Sequence, residues 1–342
     1  MSQSATAVFM AELHDMKTRE SIWKWVAVVG AFSFCTTADG QERQSLDDAW
    51  LTGPIVAAGA GTLPQGHALI EPYVFDVISS GRFDDAGDYR GGDTVHSYGS
   101  LTYMLYGITD TFTAGLIPTF GYTVLEGDQS SSGIAIGDLS VQGQYRLAQF
   151  HEGSPWPTMS VVVQESLPTG EYNRLDSVAD ANGTGAYATT LGLYSQYYFW
   201  LPTGRILRAR FNVSHTWPRN TEVRDLSVYG TTQGFTGRAK LGNSWMTTLS
   251  GEYSLSRNWV IALDLIYQHD DRVHVYGTQA NMNGAQIDVE SYSNAGWKFG
   301  VAPAIEYNWT GRVGLIVGAR WFAAGRSAGA SVTPVAALNM VF

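Results

Sequence analysis

The sequence predicts an all-β fold: a transmembrane, antiparallel up-and-down β-barrel of about 12 strands, with short periplasmic turns and long extracellular loops. Three observations predict it. From His67 onward, segments of roughly ten residues alternate apolar with polar side chains, and runs rich in Gly, Asn, Asp, Ser and Pro separate them. The connections take turns, one short and the next long, as a barrel sorts its loops by end. The chain closes on Phe342 at the tip of an alternating segment.

The composition suits such a wall. The 342 residues include 38 Gly and 13% aromatic residues, but only 15% charged ones, against about 25% in soluble domains. Mean hydropathy is −0.09, too low for a bundle of apolar helices, so the apolar residues are spread by alternation. With 21 basic and 31 acidic residues, a net charge of −10 argues against nucleic acid as a partner.

Taken from the N-terminus, Lys17 and Arg19 precede the apolar run Trp25–Cys35, and Thr36-Thr37-Ala38 offers a small-residue exit. This is the plan of a secretory signal, and it is shorter than the ~20 residues of a spanning helix. Met16 is the natural start of that signal, and Ala38 or Gly40 its expected last residue. Residues 1–38 are therefore read as an extension plus signal. Cys35 lies inside it, so the exported chain has no thiol chemistry. Residues 39–66, with Asp47, Asp48 and AAGAGTLP, lack a period and read as an irregular segment, either periplasmic or entering the lumen.

The barrel is read over 67–342. Twelve segments are expected, at about 67–79, 96–106, 111–125, 134–147, 158–167, 187–200, 206–217, 242–254, 259–269, 292–307, 312–322 and 331–342. Short connections fall at Gly107–Asp110, Leu201–Arg205, Ser254–Asn258 and Asn308–Gly311, and a somewhat longer one at His151–Pro157. Long polar ones fall at Ser80–Val95, Glu126–Gly133, Pro168–Ala186, Pro218–Leu241 and Asp270–Ser291.

Parity assigns the faces. In GDLSVQGQYRLA (Gly137–Ala148), Leu139, Val141, Tyr145 and Leu147 should meet lipid, and Asp138, Gln142, Gln144 and Arg146 the lumen. By the same rule Arg208, Arg210, Asp264, Lys298, Glu306 and Arg320 face inward. These ten are the candidate solute-binding residues. The inner face is expected to be wet and to mix both charge signs, because a charge at mid-bilayer depth on the lipid face costs about 2–4 kcal/mol. Aromatic residues near segment ends, Phe112, Tyr122, Trp200, Trp217, Tyr253, Trp259, Tyr267, Tyr307 and Trp321, read as interface girdles. Phe342, with Met340, Leu338, Ala336 and Val332 on its parity, resembles the terminal signal by which outer-membrane barrels meet their assembly machinery. A secreted β-sandwich would need strands half as long.

GAGTLPQGHALIEPYVF (Gly59–Phe75), GDLSVQGQYRL (Gly137–Leu147) and QESLPTGEY (Gln164–Tyr172) resemble the family of outer-membrane barrels called "MetA-pathway of phenol degradation". The resemblance spans Gly59 to Phe342. It implies a phenol-degradation-associated, transporter-like barrel passing a small, hydrophobic or aromatic solute.

No catalytic residue is assigned. The adjacent pairs His96-Ser97 and Ser214-His215 lack the setting of a barrel phospholipase. Asp84, Asp85 and Asp88, and the group His269, Asp270, Asp271 and His274, read as solvated loop charge rather than a metal site. DANGTG (Asp180–Gly185) has no Lys-Ser/Thr after it, so it reads as a flexible loop tip and not a phosphate loop. No cofactor is expected. The expected partners are outer-membrane lipid, lipopolysaccharide, the assembly machinery and a small solute. The expected role is passive passage of that solute. The alternatives are an anion-selective porin, suggested by Arg208 and Arg210, and a structural or adhesive barrel without transport.

Overall fold

The computed structural model describes residues 43–127, 129–280 and 285–342. The expected export signal and its cleavage point lie outside the described residues. The strands are β1 (Ala68–Phe83), β2 (Tyr89–Thr109), β3 (Phe112–Ile117), β4 (Thr119–Val124), β5 (Ala135–Ile136), β6 (Leu139–Ala148), β7 (Thr158–Leu167), β8 (Ala188–Trp200) and β9 (Ile206–Pro218). They continue with β10 (Thr221–Arg224), β11 (Phe235–Lys240), β12 (Ser244–Ser254), β13 (Trp259–Asp270), β14 (His274–Ala280), β15 (Gln286–Tyr292), β16 (Gly296–Thr310), β17 (Val313–Arg326) and β18 (Ala328–Val341).

Fourteen of these form one antiparallel sheet that closes on itself through β1 and β18. The β3–β4 pair is one wall strand broken at Pro118, which has no N–H for the ladder, although its carbonyl still accepts Thr102 N at 3.1 Å. The β5–β6 pair is a second, broken at Gly137-Asp138. The wall therefore has twelve strands. Its seam pairs Ile70 with Met340 and Val74 with Ala336. Ala68 and Phe342 exchange backbone bonds of 3.1 and 2.8 Å, so the terminal aromatic is fixed in the ladder and points outward, exposed.

Alternation sorts the side chains as parity requires. In β6, Tyr145 is 53% exposed and Gln144 4%, with Leu139, Val141 and Leu147 on the Tyr145 side. An aromatic and aliphatic band covers the outside: Phe211, Leu249, Ile261, Leu265, Ile305 and Val317 in the middle, with Trp217, Trp259, Tyr267 and Trp321 toward the ends. In water such a face would be costly; in a bilayer it is required. A closed wall with this outer band has the form of a membrane-spanning barrel. Trp200 departs from the girdle reading. It turns inward, and its Nε1 donates to Gln44 O at 2.8 Å.

Three long connections are not loops as expected. Ser80–Val95 is mostly hairpin, because β1 and β2 continue pairing past a bulge at Ser79/Gly81 to a five-residue turn at 84–88. The two connections after β9 and β13 carry β10, β11, β14 and β15, which form a second four-stranded sheet in the order β10-β11-β14-β15. Its small core is Val223, Phe235, Ala239 and Val275. Each hairpin is too short to show a period, and the sheet forms only by pairing β11 with β14 across some forty residues of chain.

The DANGTG stretch is not a free tip either. Asn182 Nδ2 donates to Ala135 O at 2.8 Å, and Thr184 N donates to Asp138 Oδ2 at 2.8 Å. Asp180 Oδ1 accepts Ser132 N at 2.6 Å. Gly121 is required beneath it: a Cβ there would lie 2.7 Å from Asn182 Oδ1.

Candidate lumen site

The aperiodic stretch before β1 runs through the lumen. It enters at the short-turn end, where Gln44 donates to Ser254 Oγ at 2.9 Å and accepts Ile206 N at 3.1 Å. Near β16, Thr52 N reaches Glu306 Oε2 at 2.9 Å, and Asn308 Nδ2 reaches Trp50 O at 2.9 Å. The chain then crosses to the opposite wall. Ala60 N meets Gln196 Oε1 at 3.1 Å, Ser160 Oγ donates to Ala60 O, and Gln144 Nε2 donates to Gly59 O and Gly61 O at 3.0 and 3.1 Å. It leaves past Thr113 and Asp110 into β1.

These contacts explain the composition of residues 53–61. Every bond above from Thr52 N to Gly61 O uses the segment's backbone and a side chain of the wall. Small residues suit a backbone bonded this closely to the wall, and Ala57 and Ala60 are buried. Gly53 adopts φ +144°, with the Arg210 guanidinium 3.3 Å from where a Cβ would sit, so both conformation and space favour glycine.

The wall beneath the crossing is charged. Arg208 donates through Nε to Glu252 Oε2 at 2.6 Å and through Nη2 to Glu252 Oε1. Arg210 Nε lies 3.1 Å from the same carboxylate. Glu252 is completely buried. Arg208 and Arg210 also donate to Leu51 O and Ala57 O, at 3.1 and 2.6 Å. Asp264 accepts Ser250 Oγ, Val56 N at 3.1 Å and Ala57 N at 3.2 Å. Thus the segment offers carbonyls to the guanidinium groups and N–H groups to the carboxylates. A backbone can do both only because its dipoles alternate, and each such charge-assisted bond is about twice as strong as a neutral one. Beside this girdle, Ile266, Ala302 and Phe322 of the wall pack against Ile55 and Val56.

The opposite arc of wall is different. On β1 and β2 the inward parity carries Tyr73, Phe75, Leu101, Tyr103 and Leu105, while Val74, Met104 and Tyr106 face out. Tyr73 and Tyr103 make an edge contact with centroids 5.9 Å apart. Phe75 lies over Gly99, where no Cβ would fit. Glu71 on this arc is held by Asn339 Nδ2 at 3.0 Å. The lumen is therefore not uniformly wet and charged, as the alternation suggested. Along β1 and β2 it is largely aromatic and aliphatic, because "apolar" residues occupy both parities there.

Toward the long-loop end, Lys298 Nζ sits 4.4 Å and the Arg320 guanidinium 5.3 Å from the Phe322 ring centroid. Neither is in an ion pair with a described residue. Asp138 accepts Gly170 N at 3.0 Å and both Thr184 N and Thr184 Oγ1 at 2.8 Å, so it pins the 168–186 connection rather than standing free. Gln142 faces inward on β6 and is half-buried; Arg146, also half-buried, lies near the short-turn end.

The ten candidates therefore divide. Gln144, Arg208, Arg210, Asp264 and Glu306 converge on the lumen segment, Asp138 holds a loop, and Gln142, Arg146, Lys298 and Arg320 stand apart from the segment's backbone. Sequence reasoning missed Gln196, Ser160 and Asn212, whose Nδ2 donates to Ala58 O at 2.9 Å, as holders of the segment; all are small or neutral polar residues whose inward parity was the only signal. Ser214 and His215 point to opposite faces of the wall. His215 points out, wedged between Trp217 and Trp245 with centroids at 4.2 and 4.1 Å, while Ser214 points in. Among the described residues no three metal-ligating side chains gather. Asp84 and Asp85 serve the outer turns. Arg90 beside Asp84 holds that carboxyl below the usual carboxylate range. Ser327 and Asn294, at 2.6 and 2.9 Å, do so for Asp85.

No protein-family model matches the chain, and no curated protein matches it in sequence. Among solved structures, an outer membrane channel from Pseudomonas putida F1 superposes with a TM-score of 0.62 at 15% identity, covering 84% of this chain and 100% of that one. The translocator domain of the autotransporter NalP from Neisseria meningitidis aligns at TM-score 0.42 and 11% identity, covering 81% and 89%. The transport unit of the autotransporter AIDA-I from Escherichia coli aligns at 0.42 and 10%, covering 85% and 94%. The first likeness shows the fold.

Proposed function

We propose that the protein is a passive outer-membrane channel for a small, mainly apolar or aromatic solute, with residues 43–66 forming a constriction inside the lumen. The observation that carries this reading is the division of the lumen. The charged arc is occupied by the segment's backbone, and the arc left to a solute is Tyr73, Phe75, Leu101, Tyr103 and Leu105. A wall with an internal obstruction suits regulated or selective diffusion. Arg208 and Arg210, the residues that favoured an anion-selective porin, are already engaged by Glu252 and by carbonyls of the segment. Membership of the phenol-degradation-associated barrels belongs to the same proposal, supported by the quoted motifs and by the channel from P. putida whose fold it shares. So does recognition of the outward Phe342 by the barrel-assembly machinery.

Planar-bilayer recording and liposome swelling test the reading. The exported chain should conduct ions poorly, and a variant lacking residues 43–63 should conduct several-fold more while keeping the heat-modifiable gel migration of a closed barrel. Large anion-selective conductance in the intact chain would overturn it in favour of the porin. Identical traces with and without the segment would remove the constriction from the account.

A further inference from the structure

At the short-turn end of the lumen, one cation has no side-chain partner among the described residues. The side chain of Arg146, on the inward face of β6 at the short-turn end, makes no hydrogen bond or ion pair with any described residue. Arg208 and Arg210 have a carboxylate and carbonyls; Arg43 and Arg257 at the same end are paired with Glu152 and Asp48 and lie over the Trp200 and Trp50 rings. Arg146 instead borders a cavity of about 280 Å³ between the wall and the lumen segment. Leu46 and Ala49 of the segment line one side. Phe150, Tyr198 and the Gln149 amide line the other.

The chemistry of this lining is specific. A guanidinium with all its donors free presents a planar fork that matches a carboxylate. The Phe150 ring, packed against Tyr197 and Tyr198 with centroids at 4.8 and 5.3 Å, is held in place by its neighbours and offers an aromatic wall. The volume lies just under the ~300 Å³ at which pockets for drug-sized molecules begin, so the cavity holds one ring or a short chain.

We infer that this cavity is a binding site for a small aromatic monocarboxylate, its carboxylate on Arg146 and its ring against Phe150 and Leu46. The inference rests on the reading of an aromatic-lined channel and deepens it: the solute carries one negative charge as well as an apolar body. Because the segment supplies one side of the cavity, the bound acid touches both the wall and the constriction.

Calorimetry on the refolded exported chain in detergent micelles tests this, with benzoate, benzamide and acetate as probes. Benzoate should bind at least tenfold more tightly than benzamide, which keeps the ring without the charge, and than acetate, which keeps the charge without the ring. Arg146→Gln should abolish the preference for benzoate over benzamide, and Arg146→Lys, which keeps charge but not the fork, should retain part of it. Arg205→Gln, at a short turn outside the cavity, should leave it intact. Heat-modifiable migration confirms that each variant is a closed barrel. Equal affinity for benzoate and benzamide in the parent, absence of benzoate binding, or an unchanged preference in Arg146→Gln would each overturn the site. Calorimetry does not depend on conduction. A barrel that binds benzoate yet passes nothing refutes the channel and keeps the site, and the reverse result does the opposite.

Discussion

Replacing Glu252 by alanine should destabilise the barrel by more than its loss of volume accounts for. Glu252 is fully buried and is the carboxylate shared by Arg208 and Arg210. Removing it deletes two hydrogen bonds from Arg208, each worth about 1.5–3 kcal/mol where a charged group is involved. It also leaves two buried guanidinium groups with Glu306 and Asp264 as the nearest acids of the girdle, both already engaged by the segment. Breaking a buried pair from one side costs about 3–5 kcal/mol, and the two estimates describe the same loss. The carbonyls of Leu51 and Ala57 soften it, so the lower part of that range is expected. The double variant Arg208→Met with Glu252→Leu removes one cation together with the anion; it should recover part of that loss but not all of it, because Arg210 stays buried with only the Ala57 carbonyl. Equilibrium urea unfolding in lipid vesicles, followed by tryptophan fluorescence, measures both. A shift below about 1 kcal/mol for Glu252→Ala, or a double variant as unstable as the single one, would refute the reasoning.

Val141→Arg puts a charge on the lipid face of β6 and should cost about 2–4 kcal/mol near mid-bilayer, whereas Gln142→Leu, one residue on and facing inward, should refold into vesicles almost as the parent does; the reverse ranking would invert the wall. Ala60→Leu adds three carbons at a completely buried position bonded on both sides to the wall; overpacking of about 1–3 kcal/mol should unseat the crossing, seen as raised bilayer conductance with the barrel intact, and unchanged conductance would count against the constriction. The Asp85 carboxyl is held low by Ser327 and Asn294, so its folded value lies below its unfolded one. The link it makes between the outer turns should be fully present above the ordinary aspartate range and should be lost only as pH falls below it. Amide exchange near Ser327 as a function of pH checks this, and loss of protection already near pH 5, above the ordinary value of about 3.9, would contradict it.

The sequence by itself determined the wall. Alternation has a period of two, and one face must meet hydrocarbon, so a strand such as Leu139–Ala148 has a single permitted facing, and a slip of one residue would reverse it. Sorted connections then give the count and direction of strands, and the segments at 158–167, 188–200 and 259–270 fall where their residues place them. Tertiary structure decided what fills the lumen. Residues 43–66 have no period because their backbone, not their side chains, makes the contacts, and a backbone bond to Arg210 or Asp264 leaves no pattern except small size. The β10–β11 and β14–β15 hairpins pair across two connections, a choice that no local preference encodes. The aromatic arc of β1 and β2 was hidden for the opposite reason: both faces there are apolar, so alternation says which side is inside but not that the inside is dry. Arg146 was visible as an inward cation. That it alone among the lumen arginines at the short-turn end lacks a described partner depends on where Leu46 and Ala49 come to rest, which only the folded chain fixes.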